Sequence, residues 1–244
     1  MKINVKAGFD WNSPVKVPEY SSGYDWARLA NEALVGRYEN PLYTDEELAI
    51  IQHGLDPDLY PNVDWRDLML KNGAPSYYAN INFSGGSDNV RYFVSGRYTG
   101  ENGRYRTASS ENTYNTNSTY ERWNYRANVD MNLTRTTVLS ASVGGWLVNR
   151  NAPSSSSDDI WKSFASYTPL SAPRKWSTGQ WPIVDGMTTP EYQLTQTGYR
   201  TIWENKIESS VSLDQDLSFI TKGLKFNGVF AFDTYNWNQI TRSK

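Results

Sequence analysis

Asn124-Tyr125-Arg126-Ala127-Asn128-Val129-Asp130-Met131-Asn132-Leu133 alternates without a break, with polar side chains at even positions and apolar ones at odd positions. Ten matches in ten arise by chance in roughly one window in a thousand, so the stretch reads as a β-strand with one wet face and one apolar face.

The pattern recurs on both sides of it. Tyr77, Ala79, Ile81 and Phe83 alternate with Tyr78, Asn80, Asn82 and Ser84. Val90, Tyr92, Val94, Gly96 and Tyr98 alternate with Arg91, Ser95, Arg97 and Thr99, and Phe93 breaks the rule. Leu139, Ala141, Val143, Gly145 and Leu147 make a weaker run beside Ser140, Ser142, Gly144, Trp146 and Val148. Ile207, Val211 and Leu213 stand against Glu204, Lys206, Glu208, Ser210, Ser212 and Asp214; Leu224, Phe226, Phe230 and Phe232 stand against Lys225, Asn227 and Asp233. A short run, Ile3-Asn4-Val5-Lys6-Ala7, opens the chain. This makes about seven strands, several longer than the roughly five or six residues usual in soluble sheets. A tilted strand needs roughly 9–11 residues to cross a bilayer.

The connections alternate in length. Gly85-Gly86-Ser87-Asp88-Asn89, Thr134-Arg135-Thr136 and residues 218–223 are short turns, whereas 10–75, 101–119 and 149–200 are long. Short turns on one side and long loops on the other is the pattern of an antiparallel transmembrane β-barrel with periplasmic turns and extracellular loops. It places Asp88, Thr134 and Thr221 on the inner side and Asn40, Ser110 and Ser177 outside. Tyr77, Tyr98, Tyr125, Trp203, Tyr235 and Trp237 lie where such barrels carry interfacial aromatics. The long loops hold short helices: 24–35 closed by Gly36, a Thr44/Glu47 capping box leading to Gly54, Asp64 capping 65–71 before Gly73, and a start at Ser157. They form an ordered external cover.

A block of residues carries a resemblance. Tyr60-Pro61-Asn62-Val63-Asp64-Trp65, Ala74-Pro75, Asn82-Phe83-Ser84-Gly85-Gly86-Ser87 and Arg91-Tyr92-Phe93-Val94-Ser95 resemble one continuous signature of the SusC/RagA-type TonB-dependent outer-membrane transporters of the Bacteroidetes. The segment Tyr24-Asp25-Trp26-Ala27-Arg28-Leu29-Ala30-Asn31-Glu32-Ala33 is similar to the helix after that family's first barrel strand, and Gly223-Leu224-Lys225-Phe226 to its hairpin entries. The resemblance implies that residues 1–244 are the N-terminal portion of a barrel, without signal peptide, TonB box or plug domain. It implies import of oligosaccharides or peptides in the cell outer membrane. It further implies a SusD-like surface lipoprotein as partner and energy drawn from the TonB system through the missing plug. The apolar face would then meet outer-membrane lipid.

Composition narrows the alternatives. Of 244 residues only 38% are hydrophobic, while 14% are aromatic, including 10 Trp and 17 Tyr. No apolar run approaches a spanning helix. Lys plus Arg is 24 against 26 Asp plus Glu, with no basic run, which argues against a nucleic-acid partner. Cysteine is absent, which removes thiolate metal sites and cysteine nucleophiles. His53 sits at a helix end, where a structural role is expected. Asp56, Asp58 and Asp64 lack the spacing of a calcium loop, and turn and cap duty is the simpler reading. Glu46-Glu47 and Asp158-Asp159 are adjacent, so they suit first helical turns better than a glycosidase pair across a cleft. No constellation supports an enzyme, a cofactor or a metal. The one chemical feature singled out is Trp176 and Trp181 in the third long loop, candidates for stacking on sugar faces, with loop packing as the plainer alternative. A soluble β-rich carbohydrate-binding module is the second reading of the whole chain, because a sandwich strand also has one apolar and one polar face.

Overall fold

A computed structural model describes residues 1–16, 19–107 and 111–244; Ser110 lies outside them. Seven long strands form one antiparallel sheet: β1 (Lys2–Asn12), β2 (Ala74–Gly86), β3 (Val90–Asn102), β4 (Thr119–Asn132), β5 (Thr137–Pro153), β8 (Gly198–Asp216) and β9 (Lys225–Ser243). A small hairpin, β6 (Ile183–Val184) and β7 (Met187–Thr188), stands apart. The large sheet is an up-and-down meander in the order β1-β2-β3-β4-β5-β8-β9, and it is open, with β1 and β9 as its edges.

The ladders outrun the sequence pattern. β1 has 11 residues where alternation marks five, and β5, β8 and β9 have 17, 19 and 19. Beyond Leu147 on β5 and Ile207 on β8, polar side chains such as Asn149, Arg150, Glu204 and Asn205 appear on both faces, with Val148, Ile202 and Trp203 among them. The hydrophobic period vanishes there while the backbone ladder continues. The three turn-side connections run over 87–89, 133–136 and 217–224, so the first is shorter and the other two longer than the sequence reading, and the loops shrink to 13–73, 103–118 and 154–197.

The loops hold the helices: α1 (Gly23–Val35), α2 (Asp45–His53), α3 (Trp65–Met69), α4 (Ser157–Ser166) and α5 (Pro190–Thr195). Ser22 accepts from the Asp25 N–H at 3.1 Å to start α1. Thr44 and Glu47 form a reciprocal capping box at α2, and Gly54 ends it in the left-handed region at φ 59°. Two boundaries depart from the sequence reading. Gly36 stays right-handed, and Tyr38 at φ 63° makes the left-handed turn instead. α3 stops at Met69 rather than at residue 71, because Leu70 is pulled into an extended bridge with Tyr105 of the second loop; Lys71 N–H donates to the Arg104 carbonyl at 2.7 Å.

The buried core lies in these loops. Trp65 and Met69 of α3, Ile160 and Phe164 of α4, Tyr167, Ala172 and Leu194 of α5 form one cluster. The Trp65 indole N–H donates to the Thr168 carbonyl at 3.1 Å, and its ring meets Tyr167 edge-on at 5.5 Å. By contrast the sheet buries little: Val5 is 71% and Phe230 71% exposed.

Candidate functional site

The sheet is a wall with two chemistries, and its register sorts them. Lys6, Asn80, Arg97, Asn124, Trp146, Lys206 and Tyr235 form one cross-strand row on the polar face. Ile3, Phe83, Val94, Ala127, Val143, Ser209 and Phe232 form one row on the opposite face. The polar face is laced together by side chains. Ser142 and Ser210 hydroxyls are 2.7 Å apart, Asn4 donates to Asn82 at 3.1 Å, Lys206 pairs with Glu208, and Arg122 lies 5.0 Å over the Trp146 ring. A depression of about 420 Å³ there is lined by Arg126, Asn128, Glu208 and Asp233, among others. On the apolar face, Ser209 turns its hydroxyl inward and donates to the Phe232 carbonyl at 2.9 Å, which satisfies it without water.

The upper edge of the apolar face runs obliquely. It passes through Trp11, Tyr77, Tyr98, Trp123, Leu147, Ile207 and Phe232, one on each of the seven strands of the large sheet. Phe232 shares its row with Ile3, eight residues below Trp11 on β1. The edge therefore drops roughly 26 Å, at roughly 3.3 Å per residue, across six strand spacings of roughly 4.8 Å, a slope of roughly 40°. That is the strand tilt of a membrane barrel, roughly 35–45°. A horizontal slab of hydrocarbon cuts tilted strands along such a diagonal.

The aromatic positions sort accordingly. Tyr77 and Tyr98 lie 5.8 Å apart, and Tyr98 and Trp123 4.4 Å apart, as a continuous row along the edge. Tyr125 sits mid-strand, where it covers Gly145 from across the ladder; a Cβ at residue 145 would overlap the Lys206 carbonyl and crowd the Tyr125 hydroxyl. Tyr235 and Trp237 fall on the polar face, so they are not part of a girdle; Tyr235 meets Trp146 there at 6.2 Å. Trp203 stands above the edge, separated from Ile207 by Asn205. Trp123, which the sequence reading omits, is the true member of the row; it stands just before the opening alternation, whose odd-numbered face it continues, and the register with Tyr98 and Leu147 sets its height.

In the third loop, Trp176 and Trp181 have different surroundings. Trp176 borders a recess of about 530 Å³ between the first and third loops, lined by Asp56, Asp58, Leu59, Pro61 and the 170–173 segment. The Trp176 carbonyl accepts from Gly179 and its N–H donates to the Gln180 carbonyl, while both Asp58 oxygens accept from the Ser177 N–H at 3.0 and 3.2 Å. Trp181 packs edge-on against Tyr192 at 5.6 Å beneath the Lys175 ammonium at 4.7 Å, and it is not among the recess residues. The aspartates do turn and cap work: Asp56 accepts from the Leu59 N–H at 2.9 Å, and Asp64 from the Asp67 N–H at 2.9 Å.

A bidentate pair anchors the loop. Arg174 donates to both oxygens of Glu191 at 2.6–3.0 Å, and Glu191 is 4% exposed. The hydrogen bonds to Glu191 hold the guanidinium above its usual range. Lys175 reaches Glu111 of the second loop at 2.8 Å.

No family model matches the chain. The TonB-dependent receptor P26 of Formosa agariphila is 33% identical over 104 residues, 41% of this chain and 9% of that protein. The TonB-dependent receptor P3 of the same organism is 33% identical over 84 residues, 34% of this chain and 7% of that protein. Among solved structures, the RagAB peptide transporter superposes with a TM-score of 0.63 at 18% identity, over 97% of this chain and 28% of that chain. The RagAB peptide importer in its closed-closed state gives the same TM-score and coverage at 17% identity. The likeness is to the SusC/RagA-type TonB-dependent transporters. The wall is a segment of an antiparallel transmembrane β-barrel, and the chain spans less than a tenth of the curated relatives and under a third of the matched structures.

Proposed function

We propose that this chain forms part of the wall of an outer-membrane active transporter, the N-terminal portion of a SusC/RagA-type barrel whose plug is not among these residues. The observation that carries this reading is the oblique apolar band backed by a polar face. A soluble sandwich covers its apolar face with a second sheet; here that face is open, and the core lies in the loops instead. The substrate class is oligosaccharides or peptides. Trp176, beside its recess, is the better placed of the two tryptophans to contact it, and Trp181 supports the loop. TonB supplies the energy, and a SusD-like lipoprotein meets the external loops.

Topology tests this. Single cysteines at Asp88, Thr134, Thr221, Asn40, Thr113 and Ser177 in the intact parent probe both sides, and Thr113 replaces Ser110 as the second-loop site. A membrane-impermeant thiol reagent applied to whole cells is expected to label Asn40, Thr113 and Ser177 and to spare the three turns, because antiparallel strands put alternate connections on one side. Labelling of all six would instead support a soluble carbohydrate-binding module. Uptake of labelled oligosaccharide and labelled peptide, with and without a working TonB system, then assigns substrate class and energy source.

A further inference from the structure

Above the apolar edge on β5, β8 and β9 the outward face carries a second constellation. Trp203 pairs across the sheet with Asn149 on one side and Asn238 on the other. Asn205 and Asn236 form the adjacent pair just below it. An indole is thus flanked by four carboxamides on the face that continues the lipid-facing band. Trp203 is 39% exposed. Among the described residues, none of the four carboxamides and not the indole N–H has a hydrogen-bond partner. Some asparagines elsewhere are engaged: Asn151 donates to the Asn115 and Asn117 carbonyls, Asn132 to the Asp88 carbonyl, Asn31 to the Tyr43 carbonyl.

Depth and chemistry select the occupant. Along strands tilted by roughly 40°, each residue climbs roughly 2.5 Å, so these side chains lie roughly 5–15 Å above the hydrocarbon edge. The head-group layer begins at that edge and is roughly 5–8 Å thick in an ordinary bilayer, and sugar head groups extend it. Hydrocarbon would not accept four free amides. An indole face with amide donors and acceptors around it is the chemistry that holds a sugar ring.

We propose that this Trp203-centred platform binds the sugar head group of an outer-leaflet glycolipid. The proposal rests on the membrane reading above. Its test uses the intact parent transporter in nanodiscs that mix phosphatidylethanolamine with a diglucosamine lipid, read by native mass spectrometry of retained lipid. Trp203→Leu and the double variant Asn205→Leu/Asn236→Leu are compared with wild type, and barrel folding is followed by heat-dependent gel mobility. The expected result is selective retention of the glycolipid by wild type and a loss of about tenfold in both variants, which still fold. Equal retention of both lipids, equal retention in folded variants, binding of free sugar as tight as of the glycolipid, or a second copy of the protein occupying the face would each overturn it. A barrel that inserts and labels with the split topology yet retains no glycolipid sinks this inference alone. A protein that does not insert sinks the membrane reading with it.

Discussion

At the level of single residues, position relative to the diagonal decides what a substitution costs. Ala127 shares the row of Ile3 and Phe232 and lies in the middle of the apolar face on β4, whereas Met131 is its last apolar member before the short turn. In the intact parent, Ala127→Arg is expected to lower barrel stability by about 2–4 kcal/mol, Met131→Arg by about 0–1, and Asn128→Ala on the polar face by little. Urea unfolding in liposomes measures all three, and equal losses at Ala127 and Asn128 would show that the faces are misassigned. The faces themselves were legible, because alternation is a property of neighbouring residues. What neighbouring residues do not carry is height. Tyr125 and Trp123 look alike in the sequence, yet only the register across the strands shows that Trp123 is at the rim and Tyr125 one step below it. Trp176 and Trp181 are a similar pair. Their five-residue spacing says nothing of Lys175 and Tyr192 closing over one of them. Trp176→Ala is accordingly expected to weaken substrate capture with the loops intact. Trp181→Ala is expected to raise protease sensitivity of residues 154–197 first, and the reverse order of effects would exchange their roles.

Among the elements, the helices were readable where a local signal sets them. Ser22, the Thr44/Glu47 box, Gly54, Asp64 and Ser156 cap as their residue types dictate. The end of α3 was not, since Tyr105 comes from another loop. The β6–β7 hairpin and α5 were missed although each has a signal: Asp185-Gly186 takes positive φ at both central positions, and Thr189-Pro190 is a cap followed by proline at N1. The α2 cap gives a pH prediction. The Tyr60 hydroxyl donates to Glu47 at 2.5 Å and the Thr44 N–H donates at 2.8 Å, and these bonds, the Tyr60 one first, hold the Glu47 carboxyl below its usual range. A depressed carboxylate contributes stability above its unfolded value and loses it as pH falls through the folded one. Hydrogen-exchange protection of 45–53 is therefore expected to be full at neutral pH and to fall below the ordinary carboxylate range. Glu47→Gln should flatten that profile, and an unchanged profile would remove Glu47 as its source. The Arg174–Glu191 pair acts between elements: Glu191→Ala strands a half-exposed guanidinium against α5 and is expected to loosen the loop by about 1–2 kcal/mol.

For the whole molecule the distribution of burial is inverted relative to a soluble β-domain. Its hydrophobic core is a cluster of loop residues around Trp65, Met69, Ile160 and Leu194, while the sheet leaves Ile3, Val5, Phe9, Trp11, Phe230 and Phe232 all at least half exposed. Two edges add to this. β1 pairs only with β2 and β9 only with β8, so 11 and 19 residues of backbone each offer an unpaired ladder. Apolar surface of this extent associates in water, and open edges are templates for further pairing. In a bilayer the face is satisfied but the edges are not, which only closure with more strands repairs. The 244 residues expressed alone are therefore expected to aggregate in plain buffer and to be dispersed by detergent with their β-content kept, as circular dichroism and light scattering would report. The loop cluster, having its own core, should keep its tertiary signal from Trp65 longer than the sheet keeps its pairing when detergent is withdrawn. A monodisperse monomer in buffer, with the Phe230 and Phe232 face inaccessible to an apolar dye, would mean that something in this chain covers that face, and the lipid-facing assignment would fall.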